Sequence, residues 1–333
     1  MKAIVMTATG SPEVLEVQQV ATPTITQPRD LLIEIKAAGV NPVDTKLRSR
    51  GTFYPDQMPA ILGCDGAGIV TAIGSEVRNF QVGDHVYFCY GGVGNPPGTY
   101  AEYTVINEQF VAHKPKSLSF VEAAAAPLVL ITAWESLYDR ARLQSGDKTL
   151  ILAGAGGVGH VAIQLAKIQG AEVATTVSSQ EKADFVKSMG ADLVIMKEDD
   201  CVDQILIWTR AKGVDVAFDT VGGKTFFDIV PAVKIYGDLV TILDVDPSLG
   251  SLKNARLRNL RISLELMLTP MLQGLDSALI EQVEILTKCA DLFDRGKLKI
   301  HVNKTFALDD AVEAHRLLEA GSMVGKIVLT MGE

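Results

Sequence analysis

The chain is short of cysteine, of long apolar runs and of positive charge. Four cysteines (Cys64, Cys89, Cys201 and Cys289) lie far apart among 333 residues. No C-x-x-C pair exists, which argues against a zinc ribbon and supplies no disulfide framework. The chain is therefore expected to be cytoplasmic and reduced. The longest apolar candidate, residues 128–134, falls far below the ~20 residues of a membrane span. The opening M-K-A-I-V-M-T-A-T-G turns polar too soon for a signal peptide. Lys and Arg number 31 against 40 Asp and Glu, a net charge of −9. That balance lacks the basic face needed for nucleic acid or an anionic membrane, although it leaves room for a local pocket that takes one small anion.

What is present fits an enzyme-sized globular chain. Its length exceeds what one hydrophobic core usually serves, so two domains are expected. The first third reads as β. In L-L-I-E-I-K-A-A-G (31–39), Ile33 and Ile35 alternate with Glu34 and Lys36, the period of a half-buried strand. Further short strands are predicted near 67–73, 82–88 and 100–106, separated by V-G-D and G-N-P-P-G turns. From A-A-A-A-P-L (123–128) to about 245, strand and helix patterns alternate. Such alternation implies a doubly wound parallel sheet with helices on both faces. A helical stretch at 278–294 and two strand-like segments, H-V-N-K-T-F and G-K-I-V-L-T-M, close the chain and are expected to rejoin the first domain.

G-A-G-G-V-G (154–159) follows an apolar strand and opens an amphipathic helix, the context a dinucleotide-binding loop requires. Gly154 permits the tight turn, Gly156 a close backbone approach to a pyrophosphate, and Gly159 tight helix–sheet packing. Beyond the second strand, where an NAD site usually carries an acid, stand Ser178 and Ser179, with Lys182 following. Hydroxyls and an ammonium favour a 2′-phosphate that a carboxylate would repel, which points to NADPH. Glu181 argues the other way, but its first-turn position directs it to solvent. The plainer alternative is that Ser178 and Ser179 only cap a helix beside a solvated Lys182.

These stretches together resemble the medium-chain dehydrogenase/reductase superfamily over essentially the full length. The resemblance rests on A-A-G-V-N-P-V-D-T-K (37–46), G-C-D-G-A-G-I-V (63–70), V-G-D-H-V (82–86), the 153–167 glycine loop and helix, D-T-V-G-G (219–223) and G-K-I-V-L (325–329). Within it the chain looks most like the zinc-independent quinone oxidoreductases and their enone reductase relatives. The resemblance implies an α/β fold: a Rossmann domain at 124–264, and a GroES-like β-rich domain at 1–123 completed by about 265–333. It also implies a homodimer joined through the edge of the Rossmann sheet.

Zinc-dependent members carry a Cys, and then a His and a Glu, where this chain has Asn41, Cys64 and Asp65. A tetrahedral catalytic zinc wants three well-placed protein ligands, so no metal is expected. A site built from Cys64, Asp65 and His85 is the alternative. Without a Lewis acid, the expected chemistry is hydride transfer from NADPH to a quinone or an α,β-unsaturated carbonyl, with the protein orienting the partners and donating hydrogen bonds to the acceptor oxygen. N-P-V-D-T-K offers Asn41, Asp44 and Lys46 as catalytic residues, and its lysine form leans toward the enone side. The resemblance further assigns Gly156, Gly157 and Val158 to the pyrophosphate, Ser178 and Lys182 to the 2′-phosphate, Thr132 and Val221 to the nicotinamide and ribose, and Lys326 to a further cofactor contact. Met196 and Leu243 depart from the family pattern. A non-catalytic NADPH-binding protein is the remaining reading.

Overall fold

The alternation at 31–36 becomes the strand Asp30–Val40, with Leu31, Ile33 and Ile35 fully buried. The computed structural model describes residues 1–332 and divides into two compact units. One joins Met1–Leu128 to the segment from Leu268 onward; the other is Val129–Met267. The short helix Phe120–Ala124 packs on the strands Asp30–Val40 and Asp65–Ile73, so the chain leaves the first unit a few residues beyond the alanine run.

In the first unit a seven-stranded sheet is built around the strand Asp30–Val40. Asp65–Ile73 pairs antiparallel with it on one side and Lys326–Thr330 on the other. Val302–Ala307 runs parallel to Lys326–Thr330, and His85–Cys89 continues the sheet beyond Asp65–Ile73. Leu31, Ile33, Val70, Val86, Phe88 and Ile106 form the core under this sheet. Two glycines of G-C-D-G-A-G are required by packing. A Cβ on Gly63, which has φ +93°, would lie 2.4 Å from the Tyr100 ring, and one on Gly66 2.5 Å from Phe88.

The second unit holds a six-stranded, all-parallel sheet. Its spatial order is Leu193–Met196, Glu172–Val177, Lys148–Ile151, Val214–Asp219, Val233–Thr241 and Arg261–Leu264. Numbered along the chain this is 3-2-1-4-5-6, the doubly wound dinucleotide-binding order. The helix Gly157–Ile168 follows the central strand and buries Val161, Ala162, Ile163, Leu165 and Ala166. Among the described residues no helix is long and apolar enough to cross a membrane.

Candidate active site

Four polar side chains meet inside the first unit, where ordinary packing would place apolar ones. Asn41 begins the helix Pro42–Arg50, Asp65 begins the strand Asp65–Ile73, and Lys326 begins the last strand. Each of these three residues is at most 3% exposed. The Lys326 ammonium donates to the Val40 carbonyl at 3.1 Å and to Asn41 Oδ1, and lies 3.7 Å from Asp65 Oδ2. Asn41 Nδ2 donates to the same Asp65 oxygen at 2.8 Å. Asp65 Oδ1 accepts the Leu128 amide at 2.8 Å. Burial drives Lys326 and Asp65 toward their neutral forms, lowering one pKa and raising the other, while each opposes that shift in its partner. A buried pair survives only when its remaining lone pairs and protons are also bonded, as they are here.

Asp44 is the fourth member. Its Oδ2 accepts the Asn41 backbone N–H at 2.8 Å, the returning half of a capping interaction, and the Tyr100 hydroxyl at 3.0 Å. Its Oδ1 is buried without a partner. Burial raises the carboxyl to about 7, and Asp65 adds to the rise. The Tyr100 hydroxyl also lies 3.2 Å from His315 Nε2, on the helix Ala311–Ala320. Burial, reinforced by the Arg48 charge, lowers His315 to about 3, so this imidazole is neutral at physiological pH. Lys46, two residues beyond Asp44, is exposed. The structure thus brings Asn41 and Asp44 together and leaves Lys46 outside their network. The sequence reading did not include Tyr100 or His315, and it did not join Lys326 to Asn41 and Asp65. No local spacing signals any of these three partners.

Cys64 and Cys89 are both buried beside Asp65. The contact with Cys89 pulls the Cys64 thiol down, but burial and the carboxylates of Asp44 and Asp65 raise it further. Cys89 is pushed well above the usual thiol range by Cys64 and by burial. Both are therefore held as thiols by their surroundings and are poor nucleophiles. Among the described residues no three His, Cys, Asp or Glu side chains group as a metal ion would need, and His85 is exposed at its strand's start.

In the second unit the glycine loop has the shape a dinucleotide needs. A Cβ on Gly154 would lie 2.1 Å from Thr175 Oγ1, and one on Gly159 2.5 Å from the Ala153 carbonyl. Both glycines are thus demanded by packing. At Gly156 a Cβ would lie 3.3 Å from the Ala153 carbonyl oxygen, a closer approach than a side chain ordinarily makes. Gly156 is the N-cap of the helix Gly157–Ile168, whose free N–H groups are where a phosphate would rest. Gly157 and Val158 form the first turn of that helix. Ser178 and Ser179 follow the strand Glu172–Val177. Ser179 Oγ accepts the Lys182 N–H at 3.3 Å, and Lys182 Nζ donates to Ser178 Oγ at 3.1 Å. Two hydroxyls and one ammonium share this corner, while Glu181 is exposed. Both the capping reading and the clustering reading of these serines therefore describe what is there. Val221 is exposed in a turn fixed by Asp219, whose Oδ1 accepts the Val221 and Gly222 amides at 2.9 and 2.8 Å. Thr132 is buried in the helix Pro127–Trp134.

A β-rich unit joined in one chain to a doubly wound sheet with a glycine-rich first turn defines a dinucleotide-dependent oxidoreductase. The family model described as "Alcohol dehydrogenase GroES-like domain" matches residues 27–116, and "Zinc-binding dehydrogenase" matches 189–329. The chain is 36% identical to a 2-methylene-furan-3-one reductase of Solanum lycopersicum, over 99% of this chain and 79% of that one. It is 34% identical to a quinone oxidoreductase of Pseudomonas aeruginosa, over 98% and 99%. The crystal structure of Escherichia coli quinone oxidoreductase complexed with NADPH superposes with a TM-score of 0.85 at 29% identity, covering 99% and 100%. The chain belongs to the medium-chain dehydrogenase/reductase superfamily, in its quinone oxidoreductase and enone reductase branch.

Proposed function

We propose that this protein is an NADPH-dependent reductase of quinones or α,β-unsaturated carbonyls that works without zinc. The observation that carries this reading is the Lys326 ammonium bonded to Asn41 and lying 3.7 Å from Asp65. A fixed cation already neutralises the carboxylate that a dication would require. An acceptor that takes hydride readily needs no Lewis acid.

The residues present fit the cofactor: a glycine at the N-cap of a helix whose free N–H groups face a phosphate, and the Ser178–Ser179–Lys182 corner for a 2′-phosphate. NADPH, when bound, supplies the hydride. The chain's own task is to hold the acceptor and stabilise the charge that gathers on its oxygen. Lys46, exposed on the helix that Asn41 and Asp44 anchor, is the donor to that oxygen. Asn41 keeps a second amide proton beyond the one given to Asp65, and Asp44 fixes both residues through the Asn41 N–H. Thr132 and Val221 line the nicotinamide end.

Purified protein with NADPH and 9,10-phenanthrenequinone or an alkenal tests the activity, and metal analysis of chelator-free protein tests the zinc claim. About one zinc per chain would overturn the metal-free reading. Tight NADPH binding with no turnover across a broad acceptor panel would favour the non-catalytic alternative. Lys182→Ala is expected to weaken NADPH binding about tenfold and NADH binding hardly at all, the scale of one exposed charge-assisted contact. Equal loss for both cofactors would remove Lys182 from the phosphate site. We also infer a homodimer. Among the described residues the outer strand Arg261–Leu264 pairs only with Val233–Thr241, and its Leu264 is 66% exposed. Light scattering should give twice the chain mass, and a single-chain mass at micromolar concentration would contradict it.

A further inference from the structure

Three buried groups in the first unit make a chain that the reaction itself does not require: Asp44, Tyr100 and His315. They come from the first helix, from the segment after G-N-P-P-G, and from the helix Ala311–Ala320. Tyr100 and His315 are fully buried, and the Tyr100 hydroxyl stands between Asp44 Oδ2 and His315 Nε2. We propose that Tyr100 and His315 are positioning residues of the active site, which set the charge and orientation of the Asp44 carboxyl and, through it, the start of the helix bearing Lys46. The inference rests on the reductase reading only in calling that helix catalytic.

The direction of the chain follows from the groups around it. A hydroxyl has one proton to give. If Tyr100 gives it to an ionised Asp44, the imidazole must donate from Nε2 to the Tyr100 oxygen. Nδ1 is then the bare nitrogen, and it is buried without a partner. Arg48 is the cation acting on this ring. Its guanidinium, 2% exposed and paired with Glu319 one helical turn beyond His315, favours a lone pair on the ring over a further proton. Asp44 in turn faces Asp65, which disfavours its charge, and Lys326, which favours it. The Tyr100 hydroxyl also favours the charged form. His315 is the group that keeps that hydroxyl turned toward Asp44. With the hydroxyl removed, the carboxyl loses one of its two donors and holds its proton to higher pH.

The test is Tyr100→Phe, which removes one oxygen and keeps the ring packed on Gly63. The Asp44 carboxyl carbon is followed by NMR in protein carrying ¹³C-labelled aspartate, with its signal assigned by Asp44→Asn. The titration midpoint is expected to rise by about one pH unit, the scale of one lost hydrogen bond to a charged group. With 9,10-phenanthrenequinone, kcat is expected to fall about tenfold while KM for NADPH stays within about twofold. His315→Gln keeps an N–H donor and should stay near wild type in both readouts. His315→Leu should behave as Tyr100→Phe does, and should it fail to fold, the Tyr100→Phe result decides alone. An unmoved Asp44 midpoint in Tyr100→Phe overturns the proposal, whatever happens to kcat, because loss of activity alone would mark a structural role. A wild-type protein inert toward every acceptor, with the midpoint still moving in Tyr100→Phe, would sink the reductase reading and leave the control of Asp44 standing.

Discussion

Asp65→Ala is expected to lower the unfolding free energy of the first unit by about 3–5 kcal/mol. The substitution takes from the buried Lys326 ammonium its nearest carboxylate, leaving only the Asp44 charge nearby, and it strips the Asn41 amide and the Leu128 N–H of their acceptor. Whole domains hold only about 5–15 kcal/mol, so the loss would be plain in a thermal or urea transition. Lys326→Met should cost a similar amount for the mirror-image reason, an unpaired Asp65. The double variant Asp65→Ala/Lys326→Met should be markedly less damaging than the sum of the two, because it removes both charges together. Strict additivity, or a loss under about 1 kcal/mol for Asp65→Ala, would show that the pair does not hold these elements together.

The second large effect is a pair of opposite pH slopes. The free carboxyl of aspartate titrates near ~3.9 and free imidazole near ~6.5. In the folded chain Asp44 is raised to about 7 and His315 lowered to about 3, burial being the main cause of each. Folded Asp44 therefore keeps a proton that the unfolded chain has released. Its contribution is complete below the unfolded value and is lost as pH rises toward about 7. His315 runs the other way: its contribution is complete above ~6.5 and is lost as pH falls toward about 3. In wild type the two slopes nearly cancel across mildly acidic pH.

Substitution unmasks one slope at a time. Relative to wild type, Asp44→Asn should gain stability as pH rises from about 4 to about 7, and His315→Gln should lose it over nearly the same window. Each span is roughly three pH units at ~1.4 kcal/mol per unit, or up to ~4 kcal/mol. Urea titrations of the three proteins at several pH values would read these differences, with the other carboxylates cancelling in the comparison. Slopes of the same sign in the two variants would refute the assignment of one shifted proton to this pair.

The candidate sites in the two units differed in how legible they were in the linear sequence. At the glycine loop nearly everything was legible, because Gly154, Gly156 and Gly159 lie within six residues and the strand before them and helix after them declare themselves by period. Ser178, Ser179 and Lys182 were legible for the same reason, and the structure places them in one corner. In the first unit the reading found Asn41, Asp44 and the Cys64–Asp65 pair by their place in short motifs, but it did not find what they touch. Lys326 is 285 residues from Asn41, and His315 is 215 from Tyr100. Pairing of the last strand with Asp30–Val40, and packing of the helix Ala311–Ala320 against Pro42–Arg50, close those separations. Neither contact leaves a trace in spacing.

The order of residues alone determined a doubly wound sheet with a phosphate-binding turn, and placed Asn41, Cys64 and Asp65 where zinc-dependent members carry Cys, His and Glu. Those are local facts, carried by hydrophobic period and by which atoms each side chain has. Only the tertiary structure decided that Lys326 stands between Asn41 and Asp65, that burial and neighbouring carboxylates raise the Cys64 thiol, and that around Tyr100 the Asp44 carboxyl is raised to about 7 and His315 lowered to about 3. Protonation depends on burial and on neighbouring charge, and both are created when distant segments exclude water from the same few ångströms.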